Sequence, residues 1–438
     1  MKYLLRKRTY LALVAILAAS STLLNSCGGS DPNPDEEPGT ASNSPYPNIH
    51  GGDFHGEKNF ALLINNYTKG KTEPTPWAGY WWPYTKNGIA AGGFGSAGSP
   101  AGKYDAARGG TTSAQAWEIK NHGSGVPKVQ GWWGHCNGWC AASALFPEPH
   151  EPKTVNGITF SVADIKALLT EGSMEASADF YGERVDFGND YNSPKYYDTV
   201  PDQYFLVMTN YIGKLKQAVL IDRYTGDQIW NQPLAGYKME YPKPSDYLGP
   251  DPQNPNVYRI LVTSTMWWMR DDVQPDVQTP QFNYEPEDTE TVQHRELKME
   301  IWLDGPVTFG ADGKITSSGN VIVTRNGQYF AGGAWRMGDG IYNDAWPDYM
   351  WVPFSVLPPT DYANNQVDIN WIKNHVLTGK DDPSVRPSPI PTAPSARPSV
   401  NPSDRPSPPP SPGVPDPVPT RTSLPFPFPT PTRTRGLE

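Results

Sequence analysis

The chain is predicted to fold as an α+β protein, with N-terminal helices followed by an antiparallel sheet. Helical patterns are few and confined to the first half of the chain, whereas the second half reads as short strands separated by turn residues. Strands and helices do not alternate, so nothing points to a parallel sheet built from strand–helix–strand units. With 3 cysteines in 438 residues the chain is no disulfide scaffold, and its stability must come from a core.

Globular sequence begins near "HGEKNFALLINNY". The stretch "TPWAGYWWPYTKNGIAAGGFGSAGSPAGKYDAA" has neither helical nor strand periodicity and reads as a long ordered loop that carries Trp77, Trp81 and Trp82 against the core. Helices are expected over Ser113 to Lys120, over Asn137 to Phe146 and in "FSVADIKALLTEG", where Ser161 and Asp164 stand in capping-box order ahead of an apolar run. Strands are expected in "YFLVMTNYIG", "QAVLIDRYTGDQIW", "VYRILVTSTMWWM", "HRELKMEIWLDG", "NVIVTRNGQYFAGGAW" and "YMWVPFSVL". No internal repeat is visible, and a body of this size is compatible with two subdomains.

The two ends read differently from the body. Residues 1–27 join a basic start to a short apolar run that closes on Leu24-Asn25-Ser26-Cys27, the pattern of a secretory signal. Its ending resembles the lipobox of bacterial lipoproteins, which implies lipidation of Cys27 and a chain exported to the cell envelope and anchored to membrane. Residues 28–55 are rich in Pro, Asp, Asn and Gly and read as a flexible linker. The body is expected over 56–381. From 382 to 438 proline, serine and threonine dominate, a composition that buries too little apolar surface to fold and predicts an extended, disordered tail. No apolar run after the signal is long enough to span a bilayer. The whole chain carries a net charge of −10, and the body is more acidic still, because the start and the arginine-containing tail are both net positive; an acidic body argues against nucleic acid as partner.

The chemistry concentrates in "QGWWGHCNGWCAASAL", residues 130–145. A turn at Gly134 feeding an Ala-rich helix would put Cys136 in the first helical turn, where the dipole and unpaired backbone N–H groups stabilise a thiolate. The N–H of Cys136 then serves as one oxyanion donor, and Gln130, six residues earlier, supplies a side-chain amide as the second. The spacing of Gln130, Gly131, Gly134 and Cys136 resembles the nucleophile turn of papain-like cysteine proteases, although Asn137 occupies the place of the tryptophan that follows the nucleophile there.

A wider resemblance runs through "PWAGYWWPY", "SPAGKYDAA", "WWGHCNGW", "FSVADIKALL", "NYIG", "LIDRYTGDQIWNQPLAGY" and "GGAW" with "WPDYMWVP". In this order the blocks resemble the elicitor-type transglutaminases of oomycetes and their bacterial relatives, over roughly residues 58 to 355. The resemblance implies a papain/transglutaminase-like core and a thiol acyl transfer without cofactor. Cys136 would be the nucleophile, Asp222 the residue that orients a base, and the partners proteins or peptides bearing glutamine and primary amines. The family's histidine falls on Phe205, which cannot accept a proton, so His294 and His122 are the candidate bases.

Alternatives stay open beside this reading. Cys140, four residues after Cys136, is a small core residue, and Cys136, Cys140 and His135 make an incomplete metal set, so no metal site is expected. Asp222 taken alone is ordinary turn chemistry. The aromatic residues, 12% of the chain, are core and loop anchors or sugar-stacking platforms. The same core would also serve a cysteine peptidase or amidase, or a non-catalytic surface-binding protein.

Overall fold

The structure, a computed structural model, describes residues 54–392 apart from 55, 93–96, 183–198, 224–227, 323, 327–328, 337–345 and 361. Cys27 and the expected signal, and all but the start of the expected tail, lie outside the described residues. Helices α1 (Phe60–Asn66), α2 (Pro100–Ala107), α3 (Ala114–His122), α4 (Cys136–Leu145) and α5 (Val162–Glu171) lie in the first half of the chain. Helix α6 (Pro201–Val207) continues as a π-helical turn over Met208–Leu215.

Nine strands form one antiparallel sheet: β1 (Lys69–Lys71), β2 (Ala176–Gly182), β3 (Leu220–Asp222), β4 (Asn231–Met239), β5 (Tyr247–Pro250), β6 (Tyr258–Met269), β7 (Val292–Leu303), β8 (Ala334–Trp335) and β9 (Tyr349–Val356). Their order is β8-β7-β6-β4-β3-β9-β2, with β1 also on β4 and β5 also on β6. The longest ladder joins β6 to β7 from Tyr258↔Leu303 to Met269↔Val292.

Successive strand residues point to opposite faces, and that alternation divides the core in two. Leu220, Ala235, Trp267, Tyr349 and Trp351 face a cluster containing α2, α4, α5 and the buried indoles of Trp77, Trp82 and Trp139. Ile221, Leu234, Met266, Met350 and Val352 face a second cluster with α1 and α6. The fold is α+β, with helices on both faces of an antiparallel sheet.

Most expected elements appear where the sequence put them. Helix α5 carries the capping box: Ser161 Oγ accepts the Asp164 N–H at 3.2 Å, and Asp164 Oδ2 accepts the Ser161 N–H at 2.7 Å. The same carboxylate takes the buried Lys103 ammonium at 2.5 Å, tying α2 to α5. Helix α2 lies inside the stretch read as loop. It starts with Ser99 capping the Gly102 N–H and Pro100 at the first helical position, and it is buried on all sides, so no polar stripe reveals its period.

"YFLVMTNYIG" was expected as a strand and is helical. Pro201 at the first position and Asp202 in the first turn are the start signals. Its residues are buried throughout, which erases helical periodicity and leaves an aromatic and aliphatic run that mimics a strand. Asn210 within it donates to the Glu57 carbonyl at 3.0 Å and accepts the Glu57 N–H at 2.9 Å, pinning the start of the body. Residues 382–392 lie against α2 and α3, with the Ser388 N–H on the Ala106 carbonyl and the Gln115 amide on that of Thr392. Among the described residues no helix is long and apolar enough to cross a membrane.

Candidate active site

The turn before α4 is built by close backbone contact. The His135 N–H donates to the Trp81 carbonyl at 2.7 Å, and the Tyr84 N–H to that of Trp133 at 2.9 Å. A Cβ on Gly134 would stand 2.5 Å from the Trp81 oxygen, so only glycine lets these segments approach. Helix α4 then begins at Cys136, with His135 at the N-cap position making no side-chain cap. A Cβ on Gly138 would meet the Thr170 oxygen at 2.3 Å, so the second glycine sets how near α4 lies to α5. Cys136 is 1% exposed, and both it and Cys140 are thiols outside any disulfide.

The sulfur of Cys136 faces the sheet. It lies 3.8 Å from the Ile229 carbonyl, and the side-chain amide nitrogen of Asn231 lies 4.0 Å from it. Asn231 opens β4, and its amide orientation is dictated by its neighbours. Its oxygen accepts the indole N–H of Trp351 at 2.9 Å and the Tyr349 hydroxyl at 3.3 Å, which turns the NH2 toward the sulfur. Asp222 is the register partner of Asn231 across the β3–β4 ladder. By alternation it shares the face of Leu220, the face of Cys136. Its Oδ1 accepts the Trp230 N–H at 2.9 Å, and its carbonyl accepts the Asp348 N–H at 3.1 Å. Cys136 and Asp222 are thus brought to one buried corner, and Asn231, Tyr349 and Trp351 complete it. Sequence reasoning missed these three. Their signal was a polar residue at the mouth of the apolar strand "WNQPLAGY" and the aromatic pair of "DYMWVP".

The other expected site residues go elsewhere. Gln130 is exposed, and its amide donates to the Lys128 carbonyl at 3.1 Å. Phe205 sits on α6, stacks on Phe60 at 5.2 Å between ring centroids, and belongs to the core cluster on the sheet face opposite Cys136. His294 on β7 lies 2.8 Å from an Asp288 oxygen and stacks on Trp267. His122 ends α3 with its ring on Tyr84 and its Nδ1 3.1 Å from His135 Nε2.

His135 turns away from its neighbour Cys136 into a buried polar cluster. Its Nδ1–H donates to the Trp82 carbonyl at 3.0 Å, since a carbonyl can only accept. Trp82 itself holds a positive φ of 48°, a conformation that side chains rarely adopt. Burial would lower the pKa of His135, but Glu171 and Glu118 override it and hold the ring well above the ordinary histidine range. Burial would raise Glu118, and His135 with His122 hold it well below the usual carboxylate range instead.

Residues 113–246 match the family model described as transglutaminase elicitor. That segment runs from α3 through the turn before α4 to the end of β4 and just beyond. Among solved structures, the GP42 transglutaminase from Phytophthora sojae is similar at 20% identity with a TM-score of 0.51, over 74% of this chain and 93% of that one. At this identity the likeness speaks to the fold, which is the one shared. No curated protein matches the chain. Over residues 113–246 the chain is thus similar to the elicitor-type transglutaminase family, and its fold is similar to that of a transglutaminase.

Proposed function

We propose that the chain is an exported, lipid-anchored acyltransferase in which Cys136 carries the acyl group. The observation behind this reading is the placement of Cys136 in the first turn of a buried helix, with an oriented amide against its sulfur and Asp222 on the adjoining strand. The Cys136 thiol adds to the side-chain carboxamide of a glutamine: a C–S bond forms, the thiol proton passes to the departing nitrogen, and the C–N bond breaks with loss of ammonia. A primary amine then attacks the thioester, a C–N bond forms as the C–S bond breaks, and the amine proton returns to the sulfur to regenerate the thiol. The Asn231 NH2, turned toward the sulfur, is a donor for a developing oxyanion. Asp222 fixes the β3–β4 edge by holding the Trp230 N–H. Lipidation of Cys27 would place this chemistry on membrane in the cell envelope.

The experiment is incorporation of a fluorescent primary amine into a glutamine peptide, with wild type against Cys136→Ala. Equal incorporation by the two proteins would sink the reading. Replacement of the amine by water gives the amidase variant, told apart by the product formed without added amine. A second reading, a catalytically silent relative, rests on the Asn231 amide, which cannot take a proton, standing against the sulfur. It requires Cys136 to react with iodoacetamide no faster than a buried core thiol such as Cys140.

A further inference from the structure

Four titratable side chains converge directly behind the nucleophile turn. Glu118 and His122 lie four residues apart on α3, His135 precedes Cys136, and Glu171 ends α5. All four are buried, and one donor atom from each lies within 4.8 Å of the others. His135 Nε2 is 2.7 Å from Glu171 Oε2, 3.0 Å from Glu118 Oε1 and 3.1 Å from His122 Nδ1, and His122 Nδ1 is 3.3 Å from Glu118 Oε2.

These separations are close to those within a four-ligand shell, and the remaining ones stay within 4.8 Å. Four nitrogen and oxygen ligands at about 2.0–2.1 Å from a tetrahedral zinc stand about 3.3 Å apart. The outer contacts fit the same purpose. With the His135 proton fixed on Nδ1 by the Trp82 carbonyl, the Nε2 lone pair faces inward, as in a histidine ligand held by a second-shell carbonyl. Glu171 Oε1 accepts the Asn364 N–H at 2.7 Å, leaving Oε2 for the centre. Glu118 is held by the Ile89 N–H at 3.3 Å and the Asn364 amide at 3.4 Å. A Cβ on Gly88 would come within 2.1 Å of Glu118 Oε1 and 2.7 Å of the His135 ring, so the chain keeps this wall clear of a side chain. Three acceptors and one inward lone pair meet at a point that needs a positive charge.

We propose that Glu118, His122, His135 and Glu171 bind one divalent d-block cation, zinc by donor type, as a structural site that clamps α3, α5 and the start of α4. Two imidazoles and two carboxylates fill four positions, so the ion closes the site and holds helices, as structural zinc does. Binding replaces the proton shared by His135, and the fixed N-cap in turn sets where Cys136 begins α4.

The full chain, purified without metal-affinity resin, is analysed for metals by inductively coupled plasma mass spectrometry. About one divalent d-block ion per chain is expected, with nitrogen and oxygen scatterers at its X-ray absorption edge. A strong chelator should lower Tm and added zinc should restore it. Glu171→Gln and His122→Gln should each weaken retention at least about tenfold. Substoichiometric metal with a Tm indifferent to chelator and zinc overturns the proposal, leaving a protonated imidazole clamped by two carboxylates. So does undiminished metal in both folded variants. If the variants do not fold, the wild-type metal content and chelator response decide. None of these readouts needs acyltransferase activity, so the site stands or falls apart from the proposed function.

Discussion

Asn231 is the residue on which the corner around Cys136 turns, and its removal has a calculable cost. In Asn231→Ala the indole N–H of Trp351, 2.9 Å from the lost oxygen, stays buried without its acceptor, which costs about 1–3 kcal/mol. The small cavity adds about 1 kcal/mol, so about 2–4 kcal/mol is expected in all. Trp351→Phe removes the donor instead and leaves the Asn231 oxygen its Tyr349 partner. The double variant lacks both ends of the bond and should recover at least about 1 kcal/mol relative to the sum of the single changes. Denaturant unfolding of the four proteins, with slopes compared to confirm that the same surface is exposed, measures the cycle. Strict additivity would show that the amide is not held by the indole, and the account of how its NH2 comes to face the sulfur would fail.

Other consequences follow from single contacts. Gly134→Ala, which drives a Cβ to 2.5 Å from the Trp81 oxygen, should lower thermal stability by more than Gly125→Ala at a position with open space. Asp202 is buried where desolvation, the largest influence, holds its carboxyl well above the usual range, although the Trp302 N–H pulls the other way. A raised folded pKa favours the fold below the unfolded value near 4 and loses that contribution as pH rises through the folded value. Asp202→Asn should therefore gain stability relative to wild type between pH 5 and 8, read from Tm across that range. Lys103→Ala removes the ammonium that balances the buried Asp164 carboxylate, leaving it its Ser161 hydrogen bonds, and should cost about 3–5 kcal/mol. Under the proposed lipid anchor, Cys27→Ser should move the chain from the membrane to the soluble fraction and abolish palmitate labelling, and continued membrane association would refute the anchor.

The parts of this fold that were legible in sequence are those with one wet face or a local signature. Helix α5 announced itself by Ser161 and Asp164, and the long strands β6 and β7 by their runs of β-branched and aromatic residues. Helices α2 and α6 were not legible because they are buried on every side, where composition follows packing and not period. At the site, Cys136 could be read because a helix start after glycines is local chemistry. Asn231, Tyr349 and Trp351 could not, because they meet Cys136 only through the β4–β3–β9 order of the sheet. The Glu118–His122 spacing was readable as a helical pair, but its convergence with Glu171 depends on how α3 and α5 pack around His135.

The sheet also decides where a proton acceptor can be supplied. Any side chain on α6, Phe205 included, is on the far face, so Phe205→His should leave the alkylation rate of Cys136 and amine incorporation unchanged. Position 231 is different. An imidazole there would place a ring nitrogen where the amide now stands. In the neutral ring the Trp351 indole would donate to the other nitrogen and leave the N–H toward the sulfur, and in the cationic ring that nitrogen would donate to the Tyr349 hydroxyl, which can accept as well as donate. An imidazolium beside Cys136 stabilises its thiolate. Asn231→His is therefore expected to raise the rate of iodoacetamide alkylation at neutral pH by about tenfold or more, with a bell-shaped pH dependence absent from wild type. Folded Asn231→His protein that alkylates no faster than wild type, or a Phe205→His variant that does, would show that the two faces have been assigned wrongly.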